Sequence, residues 1–337
     1  MILVTGGTGL VGSHLLYKLV KKGYKVRATY RSKKKLSAAK HVFSYYTTQV
    51  DEMFSKIDWV EADLNDIPAL TTAFKEITKV YHCAALVSFD PNDYYKLRRV
   101  NIEGTANIVN LCLANNIEKL CYVSSIAAIG HGEPNNTIIN ENTNWISEED
   151  HNVYAITKYG AEIEVWRAVQ EGLETVIVNP GFIFGPGFWQ SSSGSLFKKI
   201  HNGLSHYTTG VTGYVDIKDV VNSMLLLMDS NIKNERYILV SENLSFKEFA
   251  TKVAQGLDVK PPYKKASKMQ LQLAWRLDWL NHFIRRKRRK LPKQMAKSIA
   301  EKYYYSNKKV IADLDFKFKP VDESISETCQ FFLKDFD

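Results

Sequence analysis

Apolar residues along this chain fall into short continuous runs, separated by longer stretches of helical period. The first run, ILV at 2–4, leads through TGGTGLVG (5–12) into LVGSHLLYKLVKKG (10–23), which predicts strand, tight turn and helix. KVRATY (25–30), IDWVEAD (57–63), KVYHCAAL (79–86), KLCYVSS (119–125) and ETVIVNP (174–180) predict the next strands. PALTTAFKEI (68–77), RRVNIEGTANIVNLCLANN (98–116) and YAITKYGAEIEVWRAVQEG (154–172) carry the helical spacing between them. Fully apolar strands alternating with amphipathic helices predict an α/β fold: a doubly wound parallel sheet covered on both faces. Its connections are right-handed, and its ligand crevice lies at the C-terminal ends of the strands.

The pattern changes after Pro180. GFIFGPGFWQSSSGS (181–195) reads as a loop crossing the crevice, while DIKDVVNSMLLLMD (216–229) and RYILVS (236–241) add a helix and a strand to the sheet. Beyond about 243 the periodicity is mostly helical, ending in VDESISETCQFFLKDF (321–336). The expected division is a nucleotide-binding domain of 1–180 plus about 213–242. A smaller helical substrate lobe would comprise about 181–212 and 243–337.

Composition narrows the setting. The cysteines Cys83, Cys112, Cys121 and Cys329 are scattered and form no CxxC, so no metal site or disulfide framework is expected. The absence of a long apolar run, and a first strand starting at residue 2, lead to the expectation of a cytoplasmic chain without a leader. The net charge of +9 is local: RRKRRK (285–290) carries six positive charges, and KKK (33–35) three more. A charge so concentrated does not call for a nucleic-acid partner.

Glycine is required where φ is positive or where another group comes too close for a Cβ. Gly6, Gly9 and Gly12 recur at intervals of three between a predicted strand and helix, where unpaired helix amides hold a pyrophosphate well. Tyr154 and Lys158, four apart on a predicted helix, share a face; an ammonium there lowers a phenol's pKa toward the range of acid–base catalysis. Ser124 and Ser125 end a predicted strand at the crevice, where a hydroxyl can hold a reacting oxygen.

These motifs resemble the short-chain dehydrogenase/reductases in their extended branch, whose fold is Rossmann-type. TGGTGLVG matches that branch's TGxxGxxG, YAITK its YxxxK, and Ser125 its catalytic serine. VNIEGT (100–105) matches the segment whose asparagine, here Asn101, supports the active site. ADL (62–64) places Asp63 and Leu64 beside adenine, and NPGFIFGPG (179–187) matches the stretch contacting the nicotinamide. YVDIKDV (214–220) matches a further segment. The resemblance implies that Lys158 binds the nicotinamide ribose and acidifies Tyr154, that Tyr154 exchanges the substrate hydroxyl proton, and that Ser125 bonds the reacting oxygen. It implies cofactor contacts from Gly6, Thr8, Gly9, Leu10, Val11, Gly12, Arg31, Ser32, Asp63, Leu64, Ala84, Ala85, Tyr154, Lys158, Pro180, Gly181 and Ile183. HCAALVSF (82–89) and VNPGFIFGPG (178–187) place the chain nearer the hydroxysteroid dehydrogenase and dihydroflavonol reductase side than the nucleotide-sugar epimerases.

The cofactor expected is NADP(H), with NAD(H) as the alternative. An NAD site sets an acidic residue about twenty positions after the glycine turn. Residues 1–50 contain no Asp or Glu, and Arg31 with Ser32 and Lys33 stands where a 2′-phosphate would lie. The expected reaction is ketone/alcohol oxidoreduction on a small, largely apolar substrate, with Ser88, Phe89, Ser125, Phe182 and Tyr214 as candidate substrate contacts. Phe188, Trp189 and Tyr207 fall in neighbouring segments. The alternatives are a nucleotide-sugar epimerase or dehydratase, using Lys198, Lys199 or His201 on a diphosphate, and a non-catalytic cofactor-sensing scaffold. The family habit of pairing through the helices near 98–116 and 154–172 makes a homodimer an open alternative, and His131 is a loop residue kept off the catalytic set. Finally, LQLAWRLDWLNHFIRRKRRKLPK (271–293) carries two apolar stripes followed by the basic run. The plainer expectation packs both stripes within the lobe; the other reads a helix lying on an anionic membrane.

Overall fold

The computed structural model describes residues 1–130, 138–191, 193–285, 289 and 291–336. Its principal strands are β1 (Ile2–Thr5), β2 (Val26–Tyr30), β3 (Ile57–Glu61), β4 (Lys79–His82), β5 (Lys119–Val123), β6 (Thr175–Pro180), β7 (Phe182–Phe184), β8 (Val211–Asp216), β9 (Glu235–Leu239) and β10 (Glu242–Ser245). Seven of them form one parallel sheet in the order β3-β2-β1-β4-β5-β6-β9. This is a Rossmann-type α/β fold. The chain winds outward from β1 to β3, then returns to lay β4 on the other side of β1. The crevice therefore opens between the ends of β1 and β4.

Alternation along the strands divides the core. Ile2 and Val4 face one side with Leu15, Leu16 and Leu19 of α1 (Leu10–Lys21). Leu3, Val80 and Leu120 face the other, against Ile108 and Val109 of α3 (Gly104–Ala114) and Val165 of α4 (Val153–Gln170); α2 (Leu36–Ser44) follows β2. Both faces are covered, which is why the strands read as unbroken apolar runs.

The lobe is built differently from the expectation. The stretch 181–195 begins with β7, which pairs in parallel with β8, while β10 closes a small sheet antiparallel to β8. The same stretch ends inside α5 (Gly194–His201). α6 (Ile217–Asp229) returns to cover the main sheet, and α7 (Phe246–Gly256) opens with a reciprocal capping box between Ser245 and Glu248. Phe184, Trp189, Phe197, Tyr214 and Phe249 form the lobe core with Phe332 of α9 (Val321–Phe336).

Between α7 and α9 lies α8 (Lys268–Arg285), and here the plainer expectation is corrected. Met269, Leu273, Leu277, Leu280 and Ile284 do not pack within the lobe; they are between 44% and 80% exposed. Of the basic run, residues 286–288 and 290 lie outside the described residues, as does His131.

Candidate active site

Glycine shapes the crevice floor. Gly6 adopts φ +70°, and a Cβ there would lie 2.7 Å from the Ala84 Cα at the end of β4. A Cβ on Gly12 would sit 2.3 Å from the Gly6 carbonyl oxygen. The turn is thus closed so tightly that α1 begins directly over β1. Gly9 is its N-cap, no side chain caps the helix, and its first turn has no acidic residue. The opening amides and the positive end of the dipole stay available to an anion. Leu10, Val11 and Ile183 lie half-buried on the same core, with Thr8 half-buried in the turn.

At the edge of the crevice, Arg31 is exposed just past β2, and its Nη1 lies 3.6 Å from Asp63 Oδ2. Burial alone would raise the Asp63 pKa, but hydrogen bonds from Asn65 and the Arg31 guanidinium hold it below the ordinary value. Ser32 starts the short 3₁₀ turn of Lys33–Lys35. Leu64 is buried against Gly104, where a Cβ would approach to 2.8 Å, and Asn107 donates to its carbonyl at 2.9 Å. Ala84 is half-buried and Ala85 exposed at the crevice edge.

The residues expected to do chemistry converge. Ser125 ends the segment after β5, and its hydroxyl accepts from the Ala127 amide at 3.1 Å and lies close enough to Tyr154, at the start of α4, to lower the phenol's pKa. Burial raises the Tyr154 pKa to about 12, the Ser125 hydroxyl opposing it. Lys158, one turn on, is 1% exposed; its Nζ donates to the Tyr122 hydroxyl and the Val123 carbonyl, each at 2.8 Å. Burial brings its pKa down to about 7 against the pull of Glu162. Tyr154 is therefore a protonated phenol here, and its pKa reflects burial and Ser125.

Asn101 is 1% exposed, within a π-helical turn, Arg98–Glu103, leading into α3. It accepts from the Leu86 amide at 2.8 Å, donates to the Leu86 carbonyl at 3.0 Å and donates to Thr157 Oγ1 at 3.1 Å. It thereby fastens the loop after β4 to α4. The wider π turn makes room for this side chain to face inward. Phe89, at the end of that loop, packs edge-on to Tyr154 at 5.6 Å.

The remaining candidate substrate contacts sit further back. Ser88 is 4% exposed and donates to Asp93 at 2.6 Å. Tyr214 is 3% exposed and stacked on Phe249 at 4.3 Å, so it belongs to the lobe core. Phe182 is half-buried against the same pair. Pro180 is buried, and Gly181 lets β6 pass β8 where a Cβ would meet the Gly213 oxygen at 2.4 Å. Lys198 bonds Gln190 at 3.0 Å, while Lys199 and His201 are exposed.

Two buried groups escaped the sequence reading. His82 bridges Thr5 at 2.6 Å and Thr105 at 3.0 Å beneath the glycine turn, and burial lowers its pKa to about 3. Glu162, 2% exposed, accepts from Ser124 at 2.6 Å, Asn179 at 2.9 Å and Arg236 at 3.0 Å. Asn179 also donates to the Ser125 carbonyl at 3.0 Å, so the network reaches the segment that follows β5. A cavity of about 300 Å³, bounded by Trp145, Tyr159, Glu162, Trp166 and Arg236, lies behind this network, and neither Ser125 nor Tyr154 lines it.

Comparison with known proteins agrees with this geometry. Residues 2–239 match the NAD dependent epimerase/dehydratase family. A putative dihydroflavonol 4-reductase from Synechocystis sp. is 27% identical, over 98% of this chain and 93% of its own. Cinnamoyl-CoA reductase 1 of Oryza sativa is 25% identical, over 97% and 88%. The solved structure of gox2253 superimposes with a TM-score of 0.81 at 24% identity, covering 99% of this chain and 98% of that one, which is a likeness of fold.

Proposed function

Because the chain belongs to the NAD dependent epimerase/dehydratase family, as an enzyme of the extended short-chain dehydrogenase/reductase type, we propose that it is an NADP(H)-dependent oxidoreductase interconverting a ketone and a secondary alcohol on a small, largely apolar substrate. The observation that carries this reading is the Ser125 hydroxyl set close enough to Tyr154 to lower its pKa, backed by buried Lys158 and flanked by the Phe89 ring. The glycine cradle, the uncapped α1 and the buried ammonium fit a dinucleotide. When bound, the cofactor supplies the hydride. Ser125 orients the reacting oxygen, and Tyr154, protonated well above neutral pH, gives it a proton. Lys158 lies one turn behind to engage ribose hydroxyls. Arg31, exposed and braced by Asp63, favours a 2′-phosphate over a bare ribose. Both curated relatives named above are called reductases, which supports reduction over epimerisation. The unpaired cysteines suit a reducing compartment such as the cytoplasm.

The test is a cofactor-consumption screen over ketosteroids, flavanones, short ketones and UDP-sugars. NADPH consumption with an apolar ketone, with kcat/KM above that for NADH, is the expected result. Tyr154→Phe should lower kcat by ~10²–10⁴. A clear NADH preference would overturn the Arg31 assignment. UDP-sugar interconversion without net cofactor use would replace the reductase reading with the epimerase one.

A further inference from the structure

α8 is mounted inside out. Met269, Leu273, Leu277, Leu280 and Ile284 fall within one narrow arc of the helix, with Phe283 and Trp279 beside them. All seven are more than 40% exposed. The opposite arc faces the protein: Leu271, Ala274, Trp275, Asp278 and His282 are half-buried. Asp278 accepts from the Leu291 amide at 3.2 Å, and Arg289 Nε lies 3.5 Å from the same carboxylate. The helix is therefore anchored through its more polar side, and its apolar side has no partner among the described residues. A contiguous apolar patch of this kind marks an interaction surface.

Charge says which surface. Residues 259–300 hold thirteen lysines and arginines and a single acidic residue, Asp278, so the rest of the chain, with 32 basic and 35 acidic residues, is net −3. Among the described residues Lys260, Lys264, Lys265, Arg276, Lys293 and Lys297 are exposed. An apolar helix face with its own basic surroundings on an otherwise slightly acidic molecule complements an anionic bilayer. A second copy of this chain would bring two strongly basic regions together. No helix among the described residues is long and apolar enough to cross a membrane.

We infer that α8 docks this protein, lying flat, onto an anionic phospholipid surface, with the active-site mouth held beside it. The second part rests on the backbone amide of Arg289, which donates to Asp90 Oδ2 at 3.1 Å. Asp90 is 5% exposed and directly follows Phe89, whose ring touches Tyr154. Arg289, four residues past α8, thus grips the loop that borders the catalytic tyrosine. Docking stands independently of the reductase reading; delivery of an apolar substrate from the bilayer rests on it.

The test is co-sedimentation of the full chain with phosphatidylcholine vesicles, with and without phosphatidylserine. Binding to the phosphatidylserine vesicles at low salt is expected, falling as salt screens the lysines and arginines, each worth about fivefold in partitioning near such a surface. Leu273→Glu with Leu277→Glu changes only exposed positions and should reduce binding more than about tenfold, with the circular dichroism and the melting temperature unaltered. If that variant misfolds, Lys264→Glu with Arg276→Glu gives the same reading through charge. NADPH oxidation with a water-soluble ketone, measured without vesicles, reports on the reductase reading separately. Wild-type protein left in the supernatant at low salt overturns the docking, as does a vesicle-independent dimer that the leucine variant dissociates.

Discussion

Lys158 places its ammonium between the Tyr122 hydroxyl and the Val123 carbonyl, and burial brings its pKa to about 7. The folded chain therefore releases this proton near 7, whereas the unfolded chain holds it to the ordinary 10.5. Between those values the unfolded state binds more protons, so the contribution of Lys158 to stability rises with pH and is least favourable below 7. A bound dinucleotide reverses the preference, because ribose hydroxyls and a pyrophosphate favour the charged ammonium. NADPH binding should take up protons between pH 7 and 10.5. Titration calorimetry in buffers of different protonation enthalpy measures that uptake, and Lys158→Met should lose it. An unchanged proton count on binding by the wild type would remove Lys158 from the cofactor site. That Tyr154 and Lys158 lie one turn apart on one helix was legible from their spacing. That the cofactor-free tyrosine stays a phenol was not, because burial is set by chain segments far apart in sequence.

At the level of the element, α4 carries Tyr154, Lys158, Glu162 and Trp166 at four-residue steps, so one stripe runs from the chemistry into the buried network. The i+8 position of Glu162 relative to Tyr154 was a readable signal. In AEIEVW, however, a glutamate two residues from another reads first as solvated surface. Arg236, its ion-pair partner at 3.0 Å, comes from β9, 74 positions away, and no local pattern announces it. Removing one partner of a buried pair leaves the other uncompensated. Glu162→Leu should lose about 3–5 kcal/mol in urea unfolding and should also lower kcat, since Ser124 and Asn179 lose the acceptor that fixes the Ser125 segment. Glu162→Gln keeps an acceptor and should recover much of both. Equal stability of the leucine variant would show that the network is solvated and does not position Ser125.

Across the whole molecule, what local sequence described well was the main sheet, because its central strands are largely apolar runs and its first five strands are each followed by a helical segment. The small sheet was missed because β7, β8 and β10 are short, rich in glycine or polar residues, and meet only through long-range pairing. The α8 stripes had the right period, but period does not say whether an apolar face meets protein or something else. The join between the lobe core and the body of the main sheet was equally hidden, and it gathers on Asp335 near the end of α9. Its Oδ2 accepts from Trp189 Nε1 at 2.6 Å, from His41 Nε2 at 3.0 Å and from the Tyr45 hydroxyl. Trp189 belongs to the lobe core, whereas His41 is on α2 and Tyr45 directly follows it. Burial would raise the Asp335 pKa, but these hydrogen bonds hold it below the ordinary aspartate value. A depressed folded pKa means the stabilisation is present above the unfolded value and is lost as pH falls through the folded one. Asp335→Ala should cost about 1–3 kcal/mol at neutral pH by leaving the Trp189 donor unsatisfied. The gap between variant and wild-type melting temperatures should narrow below about pH 4. With the lobe less firmly seated, KM for the ketone should rise while NADPH affinity stays, because α1 and the glycine turn are untouched. A melting-temperature gap that widened with acid would mean that the folded protein favours a protonated Asp335, so that its carboxylate form is not what holds the two parts together.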